Sequence, residues 1–218
     1  MKNEKKAVVL LSGGLDSSTL LFYAKNIGYN CHCLIFDYGQ KHLREIESAK
    51  NIAKAADCSY TVIKAEFPLQ KSSLLDESKQ IPVHKDPLKT KKIPSTYVPG
   101  RNTVFLAHAL SLAESMDASA IFIGANAVDF SGYPDCRPNY YAAFKGLVKS
   151  LGVDIEIVTP LLYLDKARIV KLGKKLKVPF EHTWSCYQGL SKPCGVCDSC
   201  KLRKKGFRLA GVSDPLAE

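Results

Sequence analysis

Strand-length apolar runs and helix-length stretches take turns along this chain, and that alternation limits its fold more than any other feature. Ala7–Leu11, Cys31–Phe36, Tyr60–Ile63, Ala120–Ile123 and Ile155–Val158 read as strands. Between them Ser17–Ile27, His42–Ala56, Asn102–Ser115 and Tyr140–Leu151 read as helices, and Lys166–Leu176 follows the last strand. Strands joined through helices make a parallel sheet covered on both faces, so the expectation is an α/β, Rossmann-like, five-stranded parallel sheet. Ligands of such sheets gather at the carboxyl ends of the strands, near the switch in strand order.

The first strand runs straight into Ser12-Gly13-Gly14-Leu15-Asp16-Ser17. Two glycines between a buried strand and a helix start leave backbone N–H groups pointing at one anion-sized space, with Ser12, Ser17 and Ser18 as hydroxyl donors. A carboxylate repels a bare phosphate, so Asp16 implies a Mg²⁺ between it and the phosphate oxygens. The same string suits an ordinary strand–turn–helix with a serine cap. Neither G-x-x-x-x-G-K-[ST] nor G-x-G-x-x-G stands here, which leaves the Walker and dinucleotide readings without their signatures.

With 218 residues the chain holds one substantial core and a small appendage. No run reaches membrane-spanning length and no signal segment precedes the first strand, so a soluble, cytoplasmic protein without a membrane partner is expected. A formal charge of +10 fits anionic partners, nucleotide or nucleic acid, without choosing between them. Eight cysteines in such a chain point to metal or reactivity before disulfides. Cys194, Cys197 and Cys200 form two overlapping C-x-x-C pairs, and Cys186 lies just upstream. Four thiolates so placed suit one tetrahedral Zn²⁺ with no open position, hence a structural site; an iron–sulfur cluster also accepts four thiolates. Cys31, Cys33 and Cys58 read as buried structural thiols. The basic run Lys201–Arg208 that follows the knuckle suits a solvated helix or a nucleic-acid contact. From Glu66 to Asn102 periodicity lapses and prolines and lysines accumulate, which favours a lid-like insertion over residues 66–100, with a plain solvated loop as the alternative. The division expected is 1–180 for nucleotide binding and 181–218 for the zinc-binding part.

The remaining loops at strand ends are chemically loaded: Phe36-Asp37-Tyr38-Gly39-Gln40-Lys41-His42, Tyr97-Val98-Pro99-Gly100-Arg101-Asn102, and the loop Gly124–Pro138 with its Gly132-Tyr133-Pro134-Asp135-Cys136-Arg137. With the glycine loop, Thr183-Trp184-Ser185-Cys186-Tyr187 and the cysteine knuckle, these strings resemble the 7-cyano-7-deazaguanine synthase family of the PP-loop ATP pyrophosphatases, from Ala7 to about Phe207. Gly100 and Phe130 depart from the family's more usual alanine and tyrosine.

The resemblance implies conversion of 7-carboxy-7-deazaguanine, ammonia and ATP to the nitrile through an adenylated carboxylate and an adenylated amide. It implies ATP contacts at Leu11, Ser12, Gly13, Gly14, Leu15, Asp16, Ser17, Ser18, Thr19, Leu20, Leu21 and Phe36, with Asp16 on Mg²⁺. Arg101, Asp129, Tyr133, Asp135 and Arg137 are the implied substrate contacts, Asp16, Arg101 and Asp129 the catalytic group, and Cys186, Cys194, Cys197 and Cys200 the zinc ligands. Asp135 and Arg137 also suit a mutual salt bridge holding their loop, and Cys136 suits packing or a polar contact as well as a nucleophile. A homodimer is implied, and no stable nucleic-acid complex. Two rivals stand beside this reading: a tRNA-modifying ATPase of the same superfamily, whose RNA affinity would fall steeply with salt, and a non-enzymatic zinc-ribbon nucleic-acid-binding protein, which would turn over no ATP.

Overall fold

The computed structural model describes residues 5–40, 44–67, 72–76, 78–85, 87, 93–127, 132–188 and 191–217. Five strands lie in it: β1 (Lys5–Leu10), β2 (Tyr29–Asp37), β3 (Ser59–Lys64), β4 (Ala120–Phe122) and β5 (Glu156–Val158). They form one sheet in the order β3-β2-β1-β4-β5, every neighbouring pair parallel. Among the described residues the α-helices are α1 (Leu15–Asn26), α2 (Arg44–Ala55), α3 (Arg101–Ser115), α4 (Pro138–Ser150), α5 (Lys166–Lys175) and α6 (Asp198–Ala210). The strand order reverses between β1 and β4, which puts the loops after those two strands side by side.

The period-two alternation of β1 divides the core. Ala7, Val9 and Leu11 face one side, where α1, α2 and α5 supply Leu20, Leu21, Ile52, Ala53, Ile169 and Val170. Val8 and Leu10 face the other side, where Leu106 and Leu110 of α3 and Tyr141, Phe144 and Val148 of α4 cover them. The pleat begins two residues before the apolar run, at Lys5 and Lys6, because their backbones still pair with Tyr29 and Asn30 although both side chains are exposed.

The basic run after the knuckle is α6. Its Lys204, Lys205 and Arg208 stand in solvent, and Cys200, Arg203, Gly206 and Phe207 turn inward. Phe207 meets the Phe180 ring edge-on at 5.1 Å and belongs to the main core. A Cβ at Gly206 would lie 2.8 Å from Lys166 Cβ, so a glycine there lets α6 press against the start of α5. Among the described residues no helix is long and apolar enough to cross a membrane.

Candidate active site

The loop after β1 takes its shape from Gly13, whose φ of 76° is left-handed. A Cβ there would fall 2.4 Å from Ala49 N and 2.6 Å from Glu45 O, so only glycine lets the loop rest on α2. The Gly13 carbonyl accepts the Trp184 N–H at 2.9 Å. Ser12 and Ser17 bring their hydroxyls to 3.0 Å, and the Gly14 N–H donates to Ser12 Oγ at 3.4 Å. Helix α1 then starts with no side-chain cap, and its first N–H groups face the sheet's carboxyl edge with the positive end of the helix dipole behind them.

Asp16 sits in that first turn. Its Oδ2 pairs with the Lys166 ammonium, at the start of α5, and accepts from Asn126 Nδ2 at 3.0 Å. Its Oδ1 is buried and, among the described residues, has no hydrogen-bond partner. An orphaned, desolvated carboxylate oxygen is a costly feature unless a hard cation completes it, so this donor set fits Mg²⁺.

These groups line one cavity of about 260 Å³. Its far side holds Arg101, the first residue of α3, whose guanidinium lies over the Tyr38 and Phe105 rings at 5.6 and 6.0 Å and donates to the Tyr38 hydroxyl at 3.4 Å. Burial pushes the Tyr38 hydroxyl up to about 12. It also pushes the Glu45 carboxyl up to about 7, against the pull of Arg101. The Phe36 and Phe105 rings stack face to face at 3.8 Å, and the Phe36 carbonyl accepts from Gln40 Nε2 at 3.2 Å. Tyr133 closes one end, its hydroxyl 2.7 Å from Thr96 Oγ1 in the connection between β3 and α3. Leu74 of the same connection also reaches the cavity.

The remaining wall comes from the C-terminal part: Trp184, Ser185, Tyr187, Ser199 and Arg203. Arg203 is buried and forks onto Asp214, with Nε–Oδ2 and Nη2–Oδ1 both 2.8 Å, and its Nη1 donates to Thr183 Oγ1 at 2.7 Å. Arg44 covers the Trp184 ring at 4.4 Å. Behind the wall the sulfurs of Cys186, Cys194, Cys197 and Cys200 all lie within 4.8 Å of one another, with Cys194 and Cys200 3.9 Å apart. Zn–S bonds of about 2.3 Å give a tetrahedron edge of roughly 3.8 Å, so the cluster fits one four-coordinate ion. A four-iron cluster would wedge its own cube between the thiolates and hold them wider apart. Backbone N–H groups of Gln188 and Cys194 already point at Cys186 Sγ, and that of Cys197 at Cys194 Sγ, as thiolates require. Hydrogen bonds from the Cys197 and Cys200 thiols hold Cys186 far below the ordinary thiol range, and donating to it pushes Cys197 up to about 11. A divalent cation would let all four ionise. Leu74 and Ile81 pack on the same cluster, and His84 is tied to Asp198 by two contacts, N to Oδ1 at 2.8 Å and Nδ1 to Oδ2 at 2.6 Å.

A sequence profile described as queuosine biosynthesis protein QueC matches residues 6–211. The chain belongs to the QueC family. It is 50% identical to the 7-cyano-7-deazaguanine synthase of Thermoplasma volcanium over 97% of this chain and 90% of that one. Its identity to the 7-cyano-7-deazaguanine synthase of Trichodesmium erythraeum is 48%, over 97% and 99%. In fold it is similar to a predicted subunit of tRNA methyltransferase from Methanocaldococcus jannaschii, with a TM-score of 0.52 and 18% identity over 98% of this chain and 92% of that one. The NMN synthetase of Francisella tularensis gives 0.51 and 16%, over 96% and 78%. At those identities the structures share the fold alone.

Of the residues expected at a QueC site, Leu11, Ser12, Gly14, Leu15, Asp16, Ser17 and Phe36 border the cavity, as do Arg101 and Tyr133. Gly13 lies directly behind it. Ser18, Thr19, Leu20 and Leu21 do not reach it: the helical turn carries them inward, Leu20 and Leu21 into the core, and Thr19 Oγ1 donates back to Leu15 O at 2.8 Å. Asp135 is buried and accepts the Asn102 N–H at 3.1 Å, which caps α3 directly behind Arg101. Arg137 is exposed at the start of α4, and no ion pair joins it to Asp135. Asp129 lies outside the described residues. Cys136 borders the cavity and accepts from Asn102 Nδ2 at 3.2 Å, a polar contact.

Three parts of this QueC site escaped the sequence reading: Lys166, Glu45 and the wall around Trp184 and Arg203. Lys166 was findable, since it opens the helix after the last strand at the same sheet edge. Trp184 stands in the Thr183–Tyr187 string and Arg203 in the run after the knuckle, yet neither string says that it walls the cavity, and Glu45 had no local signal.

Proposed function

We propose that this QueC-family chain converts 7-carboxy-7-deazaguanine and ammonia to 7-cyano-7-deazaguanine, severing ATP between its α- and β-phosphates. What carries the reading is the orphaned Asp16 Oδ1 at the uncapped start of α1, opening into the same cavity as Arg101. The loop Ser12–Ser17 and the α1 N-terminus hold the leaving pyrophosphate, and backbone near Phe36 borders the adenine. Mg²⁺, held by Asp16, would neutralise charge on the departing pyrophosphate. Lys166 supplies a fixed positive charge beside it.

Arg101 holds the substrate carboxylate, where a planar guanidinium forks well, and Tyr133 offers a stacking face. An oxygen of that carboxylate attacks the α-phosphate and pyrophosphate leaves. Ammonia displaces AMP from the mixed anhydride to give the primary amide. A second adenylation, on the amide oxygen, lets AMP leave again as the nitrogen sheds its protons and the nitrile forms. The protein's part is positioning and charge neutralisation. Asp129 completes the substrate or metal contacts in this reading.

The four cysteines hold a structural zinc ion, the segment 66–100 closes over the cavity, and the enzyme works as a cytoplasmic homodimer without a stable nucleic-acid complex. The test is incubation of metal-replete protein with ATP, Mg²⁺, ammonium and 7-carboxy-7-deazaguanine, with mass spectrometry of base and nucleotide products. Amide and nitrile together with AMP and pyrophosphate are expected. No amide or nitrile sinks the reading, and ADP with phosphate sinks the adenylation.

A further inference from the structure

We propose that Glu45 is the ammonium site of this enzyme, its carboxylate binding the cation inside the cavity and taking the proton that stands between ammonium and a usable lone pair. The inference rests on the functional reading above. At neutral pH ammonia is present almost wholly as ammonium, which cannot attack a carbonyl carbon. Whatever site admits it must hold a small cation, remove one proton and release the neutral molecule beside the adenylate.

Only two carboxylates border the cavity among the described residues, Asp16 and Glu45. Asp16 is engaged by Lys166 and Asn126 and faces the phosphates. Glu45 stands in the first turn of α2, where its own backbone carbonyl lies against Gly13. No hydrogen bond or ion pair within 4.0 Å ties its carboxylate to another described residue. It therefore borders the cavity shared by the phosphate loop and Arg101. The charged and titratable groups facing it are Arg101 from α3, Tyr38 from the end of β2 and Cys186 from the knuckle. The nearby Arg101 guanidinium does not neutralise it outright, since burial still lifts the carboxyl to about 7, a basicity suited to taking and returning a proton near neutrality.

The step balances. Glu45 carboxylate and ammonium give the carboxylic acid and ammonia. The nitrogen lone pair forms the C–N bond, the C–O bond to AMP breaks with its electron pair on the phosphate oxygen, and that phosphate takes the proton shed by the new nitrogen. Glu45 then returns its proton to solvent.

The test compares Glu45→Gln and Glu45→Asp with the unaltered enzyme, using three readouts: pyrophosphate release, amide formation from ammonium, and hydroxamate formation from hydroxylamine. Hydroxylamine is largely neutral at pH 7 and needs no base. Glu45→Gln is expected to lose amide formation by about 100-fold, with a raised KM for ammonium, and to keep first-turnover pyrophosphate release and hydroxamate formation within roughly threefold. Glu45→Asp, which keeps the charge one methylene back, is expected to fall between. Amide formation unaffected in Glu45→Gln overturns the proposal. So does an equal loss of all three readouts, which would mark a merely structural residue. An unaltered enzyme that makes neither amide nor hydroxamate takes down the functional reading itself before Glu45 is touched.

Discussion

The floor of the cavity and its far wall are held by different means. The floor, from Leu11 to Ser17, is backbone at the ends of hydrogen-bonded parallel strands, and Gly13 fixes its path against α2. The wall, with Trp184, Tyr187, Ser199 and Arg203, belongs to no strand. Its apolar cluster is small, built from Leu74, Ile81, Trp184 and cysteines, so it relies on four sulfurs and one forked arginine instead of on buried area. The floor follows from the fold, whereas the wall follows from a few side chains. The two should fail separately.

The sharpest separation comes from Asp16→Asn. Turnover, followed as AMP release, is expected to drop by about 10²–10³-fold with the melting temperature little changed; a large loss of stability would mean the carboxylate serves the fold. Removing the proposed zinc ion, by chelation or Cys197→Ser, should instead loosen the wall. The chain's one tryptophan, Trp184, stands in the wall, so its emission should shift red and activity vanish while far-UV dichroism keeps the sheet. Unchanged emission would break the comparison. Arg203→Met strands Asp214 and should cost about 3 kcal/mol, a fall in Tm on the order of 6–12 °C.

The smallest effect is a pH dependence. Burial lifts the Glu45 carboxyl from 4.5 to about 7, so the folded state holds a proton that the unfolded state has released between those values. Stability from this group is thus fully present below the unfolded value and is lost as pH rises through the folded one. The stability difference between unaltered enzyme and Glu45→Gln should move against the unaltered enzyme by on the order of 2 kcal/mol between pH 5 and pH 8. Parallel melting curves at the two pH values would show that the carboxyl is not lifted.

The floor was legible because its residues are contiguous and its chemistry is backbone geometry. The strand–helix alternation foretold the sheet for a similar reason, since period-two and period-3.6 patterns are local. The wall was not legible, because its contacts join distant residues: Ser48 Oγ donates to the His182 carbonyl, and Trp184 N to Gly13 O. Lys166 reaches Asp16 across the sheet edge by a tertiary contact that no spacing records. Leu20 and Leu21 show the converse. They sit beside the loop in sequence, yet the helix carries them into the core. Asp135 accepts the Asn102 N–H and so caps α3, a contact to another element that its own loop does not record.

Helix α6 leaves the cysteine cluster, passes Gly206 against Lys166 and places Phe207 inside the main core. Anyone wishing to graft the knuckle elsewhere, or to trim it away, finds no seam at which to cut. A chain stopped after residue 180 would leave Phe180 without its edge-on ring and the base of Lys166 facing water, so the nucleotide side could not be harvested as a free-standing part.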